Sequence, residues 1–300
     1  MKLFPWGRDT PDVDPGVVAL AARNVSFDWA GIDLQWMSSE PIAGHLISAL
    51  NMLLPEGERM FIETYREALP YVKDEKLRED MLGFIGQEAM HAQTHAKVLE
   101  QVFIAHDVDA GPYLRQMEYL FRISLGSRGG DDRAARQILV ERLAFIACLE
   151  HFFAWLGDWI LNADLERFGA DPRMVDLFRW HGAEEVEHRT VAHDVAEYFG
   201  VGYVRRCASM TLVFPIFLLV MVRGLRFLAH QDRQLPDYGY PRLLGGVFAA
   251  MWRGALPGVP SLVGSALSTF QPGYRPENVG STAQALAYLA ASPGARAAAS

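Results

Sequence analysis

The sequence predicts an all-α protein: a bundle of four long helices with one long crossover, followed by additional C-terminal helices. Three observations predict it. Apolar residues recur at three- and four-residue spacing over long stretches punctuated by proline and glycine. The connections inside two pairs of helices are short, while the connection between the pairs is long. A Glu-x-x-His tetrad occurs twice, each time about thirty residues or more after another glutamate in a helical stretch.

The elements follow in order. Residues 1–35 read as an irregular lead-in rich in proline, glycine and aspartate, with Trp29 packing against the body, as does Trp36 just beyond. An apolar run from Ile42 to Leu54 stops at Pro55, and a first bundle helix over 56–69 joins it through a bend. The second helix spans 74–105 with Asp74 as N-cap, since Leu77, Met81, Phe84, Glu88, His91, His95 and Val98 share a helical repeat. A helical segment over 113–125 follows, then the loop SRGGDD at 127–132. The third helix covers 132–163, capped by Asp131 or Asp132. The fourth covers 172–199, with Asp171 as N-cap, Pro172 at its first position and Gly200 as its stop. Two helical hairpins joined by one long crossover is the ferritin-like connectivity, here over residues 36–202.

Residues 203–280 form an apolar helical extension. Its uncharged core, Cys207 to Val222, has 16 residues, short for a membrane span, and Pro215 is expected to kink it. Arg205, Arg206, Arg223 and Arg226 flank it. Both a buried fifth helix and a segment touching a membrane or lipid fit this pattern. A polar linker at 231–242, an apolar stretch at 243–270 interrupted by Pro257 and Pro260, the turn QPGYRPEN and an alanine-rich tail at 281–300, fraying after Pro293, complete the chain.

Composition narrows the function. Half of the 300 residues are hydrophobic, enough for a sizeable core, and the net charge of −8 with no basic tract argues against nucleic acid. Two cysteines, Cys148 and Cys207, build no disulfide framework, and the N-terminus has no signal-peptide pattern, so a cytoplasmic location is expected, with the inner face of the membrane as an option.

The chemistry lies in the tetrads. Glu88/His91 and Glu185/His188 each put two metal-ligand types on one helix face. Glu58 and Glu150, on the other two helices, stand at similar offsets before them. Glu150 sits among Phe145, Ile146, Leu149, Phe152 and Phe153, where a bare carboxylate is costly to bury and a metal satisfies it. Glu63 is the alternative to Glu58, and Glu184 the alternative to Glu185. Four carboxylates and two imidazoles without thiolates suit two iron ions, with manganese–iron or zinc also possible. His95 and His181 lie one turn from the tetrads, at the same end of the site if the helices are antiparallel. There they suit hydrogen bonding or capping, or they extend the ligand set or, with Glu184, handle protons. His151 and His193 suit hydrogen bonding or capping, Asp194 could orient a ligand histidine, Tyr65 could face the metal chamber or pack in the core, and Cys148 belongs to the core.

These stretches resemble a bacterial family, the predicted metal-dependent hydrolases of the ferritin-like superfamily. The resemblance rests on PEGERMFI at 55–62, GQEAMHAQTHAKVLE at 86–100, CLEHFFAW at 148–155 and WHGAEEVEHRTVAHDV at 180–195, and extends over roughly 35–278. It implies Glu58, Glu88, His91, Glu150, Glu185 and His188 as the metal-binding pattern, with His95 and His181 at recurring positions. The family turn usually ends in a Phe-His pair, whereas this chain has Tyr274-Arg275. The fold so implied is that of di-iron oxidases and oxygenases. The leading expectation is therefore a di-iron centre that activates dioxygen to oxidise an apolar or acyl-chain substrate. Its electrons come from an external donor, as no flavin or ferredoxin module is evident. The alternatives are a binuclear hydrolase of an ester or phosphoester, with His95 or His181 as base, and a non-catalytic iron-binding protein. Peripheral membrane contact and homo-oligomerisation are further expectations about partners.

Overall fold

A computed structural model describes residues 19–127 and 133–299. The fold is all-α. No β-ladder is present among the described residues, whose one bridge joins Met37 to Ala170. The expectations for residues 1–18, for most of the SRGGDD loop and for the candidate caps Asp131 and Asp132 lie outside the described residues.

Four helices surround the tetrads. They are α1 (Pro41–Ala68), α2 (Glu75–Val98), α4 (Arg133–Asn162) and α5 (Pro172–His188), and α1 packs on α2 as α4 packs on α5. Between the pairs the chain continues α2 through one π turn and one 3-10 turn to His106, then forms α3 (Gly111–Glu118). Asp74 caps α2 by accepting from the Leu77 amide at 2.9 Å, and Asp171 caps α5 by accepting from the Arg173 amide at 2.9 Å.

Two helix boundaries differ from expectation. The apolar run and the first bundle helix are one helix, α1, which passes through Pro55. Pro55 removes one amide, leaving the Asn51 carbonyl without its helical donor, but burial along both halves holds the helix together. The fourth helix, expected over 172–199, divides at residues 189–190 into α5 and α6 (Val191–Tyr198). The cause is Arg189. Its buried guanidinium turns back to the Val186 carbonyl and outward to Thr282 Oγ1 and the Glu277 carbonyl, so the chain bends around it.

The C-terminal half covers one side of the four helices. Helix α7 (Tyr203–Gln231) runs unbroken through Pro215 and packs on α1 and α4. It is long and apolar enough to cross a membrane, with a mean hydropathy of 2.1, and 44% of that stretch is buried. Helices α8 (Tyr240–Arg253) and α9 (Val259–Ser268) follow, and Pro260 starts α9 rather than interrupting it. The alanine-rich tail forms α10 (Thr282–Ala291) and α11 (Pro293–Ala299), both against α5. Instead of fraying after Pro293 the chain resumes a helix, because Asp176 of α5 accepts from the Tyr288 hydroxyl at 2.7 Å, the Ser292 hydroxyl at 2.9 Å and the Gly294 amide at 2.7 Å. One apolar core reaches from Val25 through all these helices to Leu289.

Candidate metal centre

Glu58 of α1, Glu88 and His91 of α2, Glu150 of α4 and Glu185 and His188 of α5 converge inside the four helices, each 1% exposed or less. Their donor atoms form two adjoining groups. Glu58, His91 and His181 make one, and Glu88, Glu150, Glu185 and His188 make the other, with the donor atoms of each within 4.8 Å of one another. Glu185 joins them. Its Oε1 lies 2.8 Å from His181 Nε2 and 3.6 Å from His91 Nδ1, while its Oε2 lies 3.2 Å from His188 Nε2. His188 Nε2 also approaches Glu150 at 3.2 Å and Glu88 at 3.5 Å.

The helical spacing explains the convergence. Positions i and i+3 share a face, so Glu88 with His91 and Glu185 with His188 point the same way from their helices. His181 is one turn before Glu185 and joins the same face. Glu63, by contrast, is exposed on the far side of α1, so Glu58 is the residue brought into the cluster. Glu184 stands behind it, bonded to His91 Nε2 at 2.9 Å, and Glu185 occupies the interior position.

The imidazoles are held from outside. His91 donates Nε2–H to Glu184, and His188 donates Nδ1–H to Gln87 Oε1 at 3.0 Å. His95 donates Nδ1–H to Asn51 Oδ1 at 2.7 Å, and its Nε2, 2.7 Å away, accepts from His181 Nδ1–H. With the outward N–H of all three inner imidazoles satisfied, their remaining lone pairs face the carboxylates. Several of those carboxylate oxygens have no hydrogen-bond donor at all. Both oxygens of Glu58, Glu88 and Glu150 are buried without a partner in hydrogen-bond geometry, although His188 lies near two of these carboxylates, as is His91 Nδ1. Lone pairs facing carboxylates across a dry site need a cation, and an all-oxygen and nitrogen donor set fits iron, manganese or zinc.

The electrostatics carry the same message. Burial, reinforced by neighbouring carboxylates, raises Glu58, Glu88 and Glu150 above the usual carboxylate range. Burial also opposes ionisation of Glu185, but His188 and His181 outweigh it and hold Glu185 below that range. For His91 and His188 burial favours the neutral form, and adjacent glutamates overcome it and raise both. His181 is pushed down to about 4, by burial first and by His91 second, and burial with His181 and His91 lowers His95.

Three residues near the site carried no recognisable signal in the sequence. Gln87 accepts from His188 and donates to Glu187 at 2.7 Å. Arg23 donates to Glu184 at 2.9 Å and reaches Glu187 through both terminal nitrogens at 2.6 and 2.7 Å. The segment carrying Arg23 lies across α2 where Gly83 and Gly86 leave room. A Cβ on Gly83 would come within 2.5 Å of Leu20 Cβ, and one on Gly86 within 3.2 Å of Ala22 Cβ. Asn51, which anchors His95, completes the set.

Four other sequence candidates fall outside the cluster. His151 faces away, with Nε2 at 2.9 Å from the Ser265 carbonyl and Nδ1 accepting from the Tyr274 hydroxyl at 2.9 Å, so Tyr274 of the proline-rich turn docks on the side of α4 turned from the cluster. His193 lies against Glu197 at 3.4 Å. Asp194 orients neither inner histidine, because Glu184 and Gln87 already hold them and Asp194 is exposed. Tyr65 is fully buried and stacked on Phe84 at 4.6 Å, the core placement.

An apolar cavity of about 130 Å³ adjoins the cluster, walled by α1, α4, α5, α7, α8 and α9. His181 is the one titratable side chain on its wall.

Neither the curated proteins nor the solved structures compared with this chain give a match. A family model described as predicted metal-dependent hydrolase matches residues 21–280, a span that takes in Arg23, every residue of the cluster and the proline-rich turn. On that match the chain belongs to the predicted metal-dependent hydrolase family.

Proposed function

We propose that this chain is a binuclear metalloenzyme acting on a substrate with an apolar portion. The observation that carries the proposal is the pair of donor groups sharing Glu185, set beside an apolar cavity whose single titratable wall residue, His181, belongs to one of them. Glu58, His91 and His181 would hold one ion, and Glu88, Glu150, Glu185 and His188 the other. The pairing of α1 with α2 and α4 with α5 around such a set is in keeping with a ferritin-like carboxylate bundle. A bound metal pair supplies either activation of water against an ester, the reading the family description favours, or, with iron or manganese, activation of dioxygen, the reading the carboxylate-rich, thiolate-free donors favour.

The chain's own residues do the rest. The cavity orients the apolar portion by excluding water from it. His181, which donates Nδ1–H to His95 and brings Nε2 to 2.8 Å from Glu185 Oε1, is the side chain that joins the cavity wall to the carboxylate cluster. Asn51 keeps His95 in the orientation that receives His181. Metal analysis of the purified chain tests the proposal: two ions per chain are expected, falling in Glu150→Ala and Glu185→Ala. Absence of bound metal from a folded, metal-supplemented sample would sink it. Oxygen uptake against hydrolysis of a long-chain ester, on the same loaded sample, separates the two readings.

A further inference from the structure

Of the eighteen large apolar side chains exposed among the described residues, twelve lie between Tyr203 and Leu267, on α7, α8 and α9. Exposed apolar side chains are thus concentrated on three consecutive helices. On α7 the exposed residues Leu212, Ile216 and Leu219 follow helical spacing on one face, and the buried Val213, Phe217 and Val220, each one residue further round the helix, hold it to the body. Trp252 at the end of α8 is 92% exposed.

Part of this surface borders the cavity. Leu218, Met251 and Leu262 line it, and their chain neighbours Leu219, Trp252 and Val263 face solvent. Three helices therefore turn one residue inward to the cavity and the next outward at its rim.

Charge indicates what covers this face. Residues 203–275 carry eight arginines, two aspartates and neither lysine nor glutamate, in a chain whose net charge is −8. The segment stays cationic after counting Glu40, Asp107 and Glu141, which pair with Arg253, Arg233 and Arg205 from neighbouring elements. Arg223 stands one turn beyond Leu219 on the exposed face of α7. An apolar surface with a protruding tryptophan and an arginine fringe is what an anionic bilayer receives: apolar side chains enter the headgroup boundary while guanidinium groups meet lipid phosphates.

We propose that the exposed face of α7, α8 and α9 docks on an anionic lipid bilayer and sets the cavity mouth against it. The proposal extends the apolar-substrate reading by naming where such a substrate comes from, but docking itself requires neither metal nor turnover. The test is flotation of the full chain with vesicles of phosphatidylcholine alone and of phosphatidylcholine with phosphatidylglycerol. Binding at least tenfold stronger to the anionic vesicles is expected, weakened by salt and reduced at least tenfold in the double variant Leu219→Gln/Trp252→Gln. Circular dichroism and metal content, measured on the same samples, should match wild type. Failure to float with either vesicle, equal binding by the double variant, or self-association through this face in place of vesicle binding would each overturn docking. A metal-loaded chain that ignores vesicles fails only docking, and a metal-free chain that binds them fails only the metal reading.

Discussion

The guanidinium of Arg23 meets Glu184, which holds His91, and Glu187, which holds the Gln87 that receives His188. Groups of this kind fix ring orientation, and losing one typically weakens metal binding about 10- to 100-fold. Arg23→Gln is therefore expected to weaken metal affinity by roughly tenfold with helix content unchanged, read by metal titration; unaltered affinity would remove Arg23 from this role. His151 supplies a pH effect away from the carboxylates. Burial pushes it down to about 4 from 6.5. Above 6.5 both folded and unfolded chains hold it neutral, whereas below 6.5 only the unfolded chain takes the proton, so stability falls as pH drops toward 4. Between pH 6.5 and about pH 5 the loss from this residue is roughly 2 kcal/mol. Denaturant midpoints at the two pH values should converge in His151→Gln, and an unchanged gap would refute the assignment. At this scale the inner residues were legible, because i and i+3 positions on one helix must share a face. Arg23 was not, because it meets Glu184 across 161 residues from a segment with no periodicity.

Helices α4 and α5 touch backbone to backbone. A Cβ added at Gly157 would sit 2.3 Å from the Gly182 carbonyl oxygen, and one at Gly182 would sit 2.7 Å from Gly157 Cα. Neither neighbour is a side chain that could swing aside, so Gly157→Ala and Gly182→Ala should each cost about 1–3 kcal/mol. Gly182 follows His181, so Gly182→Ala should also lower metal content. Stability loss without any change in metal content would show that the crossing does not position His181. Asp176 ties α10 and α11 to α5 through three hydrogen bonds. Its replacement by alanine should cost about 2 kcal/mol and speed hydrogen exchange across 282–299; exchange confined to wild-type rates would refute the tie. Helix existence was readable from apolar spacing and capping aspartates. Two boundaries were not, since continuity through Pro55 and the break at Arg189 depend on burial and on contacts from residues 277 and 282.

The whole molecule is organised around the carboxylates. Four of them gather in two adjoining buried groups, so the folded state is the one suited to bind a cation tightly. A metal ion present at a hundred times its dissociation constant adds about 2.7 kcal/mol, several degrees in melting temperature for a chain of this size. Chelation should reverse that shift, and metal-independent melting would contradict the fit of the donor set. The apolar extension was legible in composition, yet its division between a packed face and an exposed face was not. The middle of α7, residues 207–222, is uncharged all round, and only the neighbours α1 and α4 decide which side is covered.

The clamp on Asp176 also sets a clock. Its partners Tyr288, Ser292 and Gly294 are made 112, 116 and 118 residues later. At about 5–20 residues per second, α5 waits roughly 6–24 seconds during synthesis before its hold is complete. For that interval His181, Glu185 and His188 lie on a helix that is not yet fastened, so full metal capture becomes one of the last events in making this protein.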